Sequence, residues 1–284
     1  MNQLLEQIAS IAREAGALML KADTHFQTTH SPDQTIPENP DPESTRHVKN
    51  GHANFVTAYD SQVQAFLIDR LSRIIPEASF YGEEDGMDVY RAQYSSGYTF
   101  VIDPIDGTSN FMKSCFPYVT SIGLLRDGAP CAGVVYAPQT GHLFSAASGC
   151  GAFENGVPIK SSEDPLSLSL VTMGTAPYNN RLSQYAFELA AGYKPHCIDI
   201  RRSGSAAWDI CSVASGQIGY YFEPEIFLHD YVAGACIAME AGVTITDLEG
   251  NPLTFRAGAT SVAAASPGVA SGPYLPADFF KKES

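Results

Sequence analysis

Asp103-Pro104-Ile105-Asp106-Gly107-Thr108-Ser109-Asn110-Phe111 follows directly on the apolar run Tyr98-Thr99-Phe100-Val101-Ile102. The run Tyr98 to Asp103 reads as a buried strand. Two carboxylates three residues apart, Asp103 and Asp106, therefore leave a strand end together. Pro104 removes a backbone donor and stiffens the exit, and Gly107 permits a sharp turn. Thr108, Ser109 and Asn110 then offer hydroxyl and N–H groups at a helix start, a place where phosphate binds well. Taken bare, the same residues also fit an Asx turn.

Two other chemistries fail on this segment. Haloacid dehalogenase-type phosphatases form an aspartyl phosphate on the first residue of D-x-D-G-T. Aligning Asp106-Gly107-Thr108 with that motif puts Pro104 at the nucleophile, and proline cannot attack phosphorus. A calcium loop needs ligands at alternating positions, and those are missing.

Outward from the motif, apolar spacing predicts an amphipathic helix over residues 3–22 and another over 60–75, ended by Pro76. Residues 24–50, with Pro32, Pro37, Pro40 and Pro42, read as a long loop, and His25, His30 and His47 as solvated loop residues. Gly-punctuated strands are expected near 119–125, 131–136 and 142–146. From about residue 168 the pattern turns to strand, helix, strand: 168–173, 181–192 and 196–200. Helices follow near 205–215 and 230–241, and a strand near 243–247. The pattern divides into an α+β half over 1–165 and an α/β half over 166–284.

The chain has 284 residues, 44% of them apolar and 17% charged, which suits a substantial core. Its net charge of −14 disfavours nucleic acid and anionic membranes as partners. It also repels a free phosphate ester unless bound cations invert the local field. The six cysteines form no C-x-x-C pair, and no leader or membrane-length apolar block is visible. The expectation is a soluble cytoplasmic protein.

Further elements stand in a fixed order around the motif. Asn54-Phe55-Val56-Thr57-Ala58-Tyr59-Asp60 and Phe80-Tyr81-Gly82-Glu83-Glu84-Asp85 precede it. Arg202-Ser203-Gly204-Ser205-Ala206-Ala207, Glu223 and His229-Asp230-Tyr231-Val232-Ala233-Gly234-Ala235 follow it. In isolation Asp60 and Asp230 can each be a helix N-cap, and Glu83 a solvated loop acid. As an ordered set they resemble the inositol monophosphatase family from about Leu5 to Ala265.

The resemblance implies a layered αβαβα sugar-phosphatase fold, of mixed α/β (α+β) class, and a magnesium-dependent phosphomonoesterase. It implies metal ligation by Glu83, Asp103, Asp106, Asp230 and the Ile105 carbonyl, with two to three Mg2+ ions. It implies water activation by the Thr108–Asp60 pair, assisted by Glu83. Gly107, Thr108 and Ser109 match the positions that hold phosphate. Ser205, Ala206 and Glu223 match those lining the pocket for the alcohol. Lys49 lies where the family has a mobile-loop lysine near a third metal. Lithium sensitivity and a homodimer are implied as well. Glu223 favours inositol monophosphate as substrate, because an acid there accepts hydrogen bonds from ring hydroxyls. Fructose 1,6-bisphosphate, 3′-phosphoadenosine 5′-phosphate and histidinol phosphate are the alternatives, and a non-catalytic regulatory protein on the same scaffold is a further one.

The carboxylates alone argue for the same chemistry. Asp60, Glu83, Asp103, Asp106 and Asp230 in one site would exclude a dianionic phosphate unless cations reversed the sign. The sequence departs from the family at His229, where a Trp is usual, at Asn54, where many members have Asp, and in the longer 24–50 segment. Asp209 reads as a structural helix residue.

Overall fold

Alternate residues of one strand feed two different cores, and this organises the molecule. In β4 (Tyr98–Asp106), Phe100 and Ile102 point to one apolar cluster and Val101 to another. Such a strand is buried on both faces, so it reads as a continuous apolar run. The computed structural model describes residues 2–29, 47–48, 55–56, 58–84 and 97–270.

The chain opens with α1 (Asn2–Thr29), the two-residue ribbon β1 (His47–Val48) and β2 (Phe55–Val56), and α2 (Ala58–Leu71). A seven-stranded sheet follows: β3 (Ser79–Gly82), β4, β5 (Val119–Arg126), β6 (Ala129–Ala137), β7 (His142–Ala147), β8 (Ala152–Glu154) and β9 (Val157–Ile159). Its strands lie in sequence order. Only β3 and β4 run parallel; the remaining pairs are antiparallel. The short helix α3 (Thr108–Met112) joins β4 to β5.

The rest of the chain comprises β10 (Leu170–Met173), α4 (Asn180–Tyr193), β11 (Asp199–Arg201), α5 (Ala206–Ala214), β12 (Tyr220–Phe227), α6 (Leu228–Glu240), β13 (Thr244–Thr246), β14 (Ala259–Ala265) and α7 (Pro267–Ala270). Its strands form a five-stranded sheet in the order β11-β10-β12-β14-β13.

Three clusters stack the layers. Ile8, Ala12, Ala15 and Met19 of α1 and Val63 and Leu67 of α2 bury against Phe100, Ile102, Ile122 and Val134. On the opposite face, Val101, Val135 and Phe144 meet Ile210 and Val213 of α5 and Val232 and Ala235 of α6. The same two helices meet Tyr221, Val262 and Ala264 of the second sheet. Tyr220, Phe222, Ala263 and Ala265 face the other way, onto Ala186, Leu189 and Tyr193 of α4. The order is therefore helices, sheet, helices, sheet, helix, the αβαβα arrangement.

The differences from sequence expectation have local causes. The first helix passes residue 22 and ends at Thr29, so residues 24–29, His25 among them, are helical and not loop; residues 30–46 lie outside the described chain. The second helix ends at Leu71, ahead of Pro76, because Arg73 N–H and Ile74 N–H donate three residues back to Arg70 O and Leu71 O. Ile74 and Ile75 still pack on the core. The readings on Asn54, Lys49 and His30 fall outside the described residues, and the side chain of His47 is not described.

Candidate active site

The turn after β4 is built for close approach. Gly107 sits at φ 89°, and a Cβ there would meet Pro117 O at 2.9 Å. Only glycine adopts that conformation without strain. Asn110 Nδ2 donates to Pro117 O (2.6 Å) and Ser203 O (2.9 Å), fixing the turn to the second half of the chain.

A bulge orients the two aspartates. Asp103 pairs with Ser121 and Asp106 with Val119, so three steps along β4 match two along β5. In a regular strand, residues three apart face opposite sides. The extra residue restores a common side, and both carboxylates line one cavity of about 410 Å³. Ile105, between them, is buried under α1 and α2. Its N–H donates to Asp103 Oδ1 at 3.0 Å.

The cavity lies between the two sheets. Glu83, Ile105, Gly107, Thr108, Ser109, Ser205, Ala206, Glu223 and Asp230 join Asp103 and Asp106 in its wall. Asp60, in the first turn of α2, reaches the same locus through Thr108, whose Oγ1 is 3.3 Å from Asp60 Oδ1 and 3.0 Å from Ile105 O. One hydroxyl proton thus has two acceptors within reach. Carboxylate oxygens of Asp60, Glu83 and Glu84 lie within 4.8 Å of one another.

Asp106 is also anchored to α5. Ser205 Oγ donates to Asp106 Oδ2 at 2.6 Å, Ala207 N–H to Oδ2 at 2.8 Å and Ala206 N–H to Oδ1 at 3.2 Å. Ser205 and Ala206 thus line the cavity with their donors turned to a carboxylate. Asp230 is not the N-cap of α6 but its third residue, and its carboxylate accepts from the N-cap Phe227 N–H at 2.7 Å while lining the site; Asp60 likewise is the third residue of α2. His229 Nε2 lies 3.3 Å from Asp230 Oδ1, and its ring stacks between Tyr81 and Phe227.

Burial and mutual repulsion shape the electrostatics. Burial pushes Glu83 up to about 7; His229 opposes this, while Asp230, Asp60 and Glu84 reinforce it. Burial, then Glu83 and Asp106, hold Asp103 well above the ordinary carboxylate range. Burial takes Asp106 to about 6 against the Ser205, Ala207 and Ala206 hydrogen bonds. Burial and Asp106 bring Asp230 to about 8 against the Phe227 N–H. Burial raises Glu223 to about 7, although Tyr221 Oη donates to it at 2.6 Å and Ala176 N–H at 3.1 Å.

Among the described residues, no lysine or arginine pairs with Glu83, Asp103, Asp106 or Asp230. Asp103 and Asp106 are buried and Glu83 and Asp230 partly so, and a set of acids without a lysine or arginine partner suits hard divalent cations, which take oxygen ligands. The donor set therefore fits magnesium.

The cavity also contains residues that sequence reasoning passed over. Asp209 is an α5 residue as expected, but it lines the wall, and burial pushes it up to about 8. Gly174, Thr175, Tyr178 and Arg202 come from the loops after β10 and β11. Loop residues of this kind carry no periodic signal.

Layered architecture and an acid-lined cavity beside a Thr–Asp pair place the molecule among the phosphoric monoester hydrolases of sugar-phosphatase type. The chain belongs to the inositol monophosphatase family, whose sequence profile matches residues 2–276. Inositol-1-monophosphatase of Mycobacterium leprae is 40% identical over 76% of this chain and 75% of its own length. Nus factor SuhB of Salmonella typhimurium is 30% identical over 88% of this chain and 87% of its own. Inositol monophosphatase from Anabaena superposes with a TM-score of 0.75 at 30% identity, covering 94% of this chain and 92% of that one.

Proposed function

We propose that the chain hydrolyses a small polyol or sugar phosphate, inositol monophosphate foremost, with two to three Mg2+ ions. The observation that carries this is the set of carboxylates around one cavity that, among the described residues, pair with no lysine or arginine. Glu83, Asp103, Asp106, Asp230 and the Ile105 carbonyl would hold the ions. When bound, magnesium supplies positive charge that offsets these acids and acidifies water near phosphorus. Thr108 Oγ1 would accept a hydrogen bond from the attacking water while its own proton is directed toward Asp60 Oδ1, with Glu83 beside them. The Gly107–Ser109 backbone offers N–H groups to the phosphate oxygens, as the first turn of a helix leaves them unpaired. Glu223, oriented by Tyr221 and Ala176, accepts hydrogen bonds from ring hydroxyls.

The reading retains two halves, 1–165 and 166–284; the acids of β4 come from one, and Glu223 and Asp230 from the other. Lithium sensitivity, a homodimer and a cytoplasmic location follow from the family alone. No helix of the described residues is long and apolar enough to cross a membrane. A regulatory role is the second reading, raised by the relative named as a Nus factor. The complete acid set favours catalysis over it.

Phosphate release from inositol 1-phosphate, fructose 1,6-bisphosphate, 3′-phosphoadenosine 5′-phosphate and histidinol phosphate, with and without magnesium, tests the reading. Magnesium-dependent release is expected, fastest from inositol 1-phosphate. No release from any ester would overturn it in favour of the regulatory role.

A further inference from the structure

Arg202 is the one basic residue in the cavity wall among the described residues, against Glu83, Asp103, Asp106, Asp209, Glu223, Glu225 and Asp230. The chain has 31 acids for 17 lysines and arginines, so arginines readily find carboxylates. Arg70, Arg73, Arg126 and Arg201 each lie within ion-pairing distance of one. Arg202 pairs with no acid among the described residues. Its hydrogen bond is from Nε to Thr175 Oγ1, at 3.2 Å.

That bond has a geometric result. Thr175 stands on the loop after β10 and Arg202 on the loop after β11, so the bond ties two walls of the cavity together. It holds the guanidinium plane through Nε and leaves Nη1 and Nη2 available. This edge recognises an oxyanion with two parallel hydrogen bonds. The Gly107–Ser109 backbone is already assigned to the scissile phosphate, so an anion held by Arg202 would be a second one, on the alcohol part of the substrate.

We propose that Arg202, positioned by Thr175, is a specificity-determining residue that extends the substrate range beyond singly phosphorylated polyols to phosphate esters whose alcohol part carries a second anionic group. The inference rests on the phosphatase reading above and extends its substrate range. A second phosphate or a carboxylate presents the same oxygen edge.

Paired substrates separate these cases: fructose 1,6-bisphosphate against fructose 1-phosphate, and 6-phosphogluconate against glucitol 6-phosphate. For each pair the ratio of kcat/KM, doubly anionic to singly phosphorylated, is measured with magnesium in the wild type, Arg202→Ala, Arg202→Lys and Thr175→Val. The ratio should fall about tenfold or more in Arg202→Ala for at least one pair, mainly through KM, as loss of a charged hydrogen bond implies. Arg202→Lys should recover part of the loss, and Thr175→Val should show a smaller fall. Which pair responds tells phosphate from carboxylate. A ratio that stays within about twofold for both pairs, or a parallel decline of both members, overturns the assignment. Absence of phosphate release from every ester removes the phosphatase reading and this inference together.

Discussion

Ser205 Oγ donates to Asp106 Oδ2 at 2.6 Å, joining the end of β4 to the N-cap of α5 across 99 residues of sequence. Hydrogen bonds to charged groups contribute about 1.5–3 kcal/mol when buried. Ser205→Ala should therefore lower the Tm by several degrees. It should also weaken magnesium activation, because Asp106 loses a donor that favours its charged form. Calorimetry and a magnesium titration of the rate check this; an unchanged magnesium requirement would contradict the coupling.

Asp103→Asn separates stability from function. The carboxylate sits among Glu83, Asp106 and Asp230, all repelling it. The carboxamide removes that repulsion at almost the same volume. Turnover should fall below detection, while the Tm of the magnesium-free protein holds or rises. Normal turnover would remove Asp103 from the metal site.

Thr108→Ala should lower kcat by roughly a hundredfold, the lower range for positioned proton transfer. Magnesium dependence should change far less, since the hydroxyl contacts Asp60 and Ile105 O. Thr108→Ser should restore much of the rate. An unaltered rate in the alanine variant would exclude Thr108 from water activation.

The acids dictate a pH trend for the magnesium-free protein. Asp106 at about 6, Glu83 at about 7 and Asp230 at about 8 all lie above the ordinary carboxylate values near 4. The folded state holds more protons than the unfolded state in between. Stability from these groups is present below about pH 4 and is lost as pH rises through about 6 to 8. Magnesium favours the ionised forms, so its stabilising effect on Tm should grow from pH 6 to pH 8. A gap that narrows with rising pH would refute the assignment.

Glu223 leaves room for no side chain opposite it: a Cβ on Gly174 would fall 2.0 Å from its carboxylate. Gly174→Ala should displace Glu223 and weaken binding of inositol monophosphate, with about 1–3 kcal/mol of overpacking. Glu223→Gln should alter selectivity among sugar phosphates without that strain. A substrate profile unchanged in the glutamine variant would undercut the role of Glu223.

The acid-rich segments were legible because their order is distinctive, and the long helices because one face is apolar. Strands β12 and β14 were not. Tyr220-Tyr221-Phe222 is buried on both faces and interrupted at Pro224, near a break in register after Glu223, so no alternation shows. The segment Val262 to Ala265 is small and apolar throughout. Asp209 was legible as a helix residue, but its exposure to the cavity depends on how α5 packs against α6 and β12. Arg202 and Thr175 meet only because β10 and β11 lie side by side, and no local pattern encodes that meeting.

The bulge after Asp103 makes the site a matter of parity as well as chemistry. The two aspartates share a side because β4 takes one step more than β5 over the same stretch. One residue inserted into β5 between Val119 and Ser121 would even the count and turn Asp106 toward the apolar cluster beneath α1. The register of the two aspartates is therefore inscribed partly in a neighbouring strand that contributes none of the acids, and the length of that strand is constrained along with them.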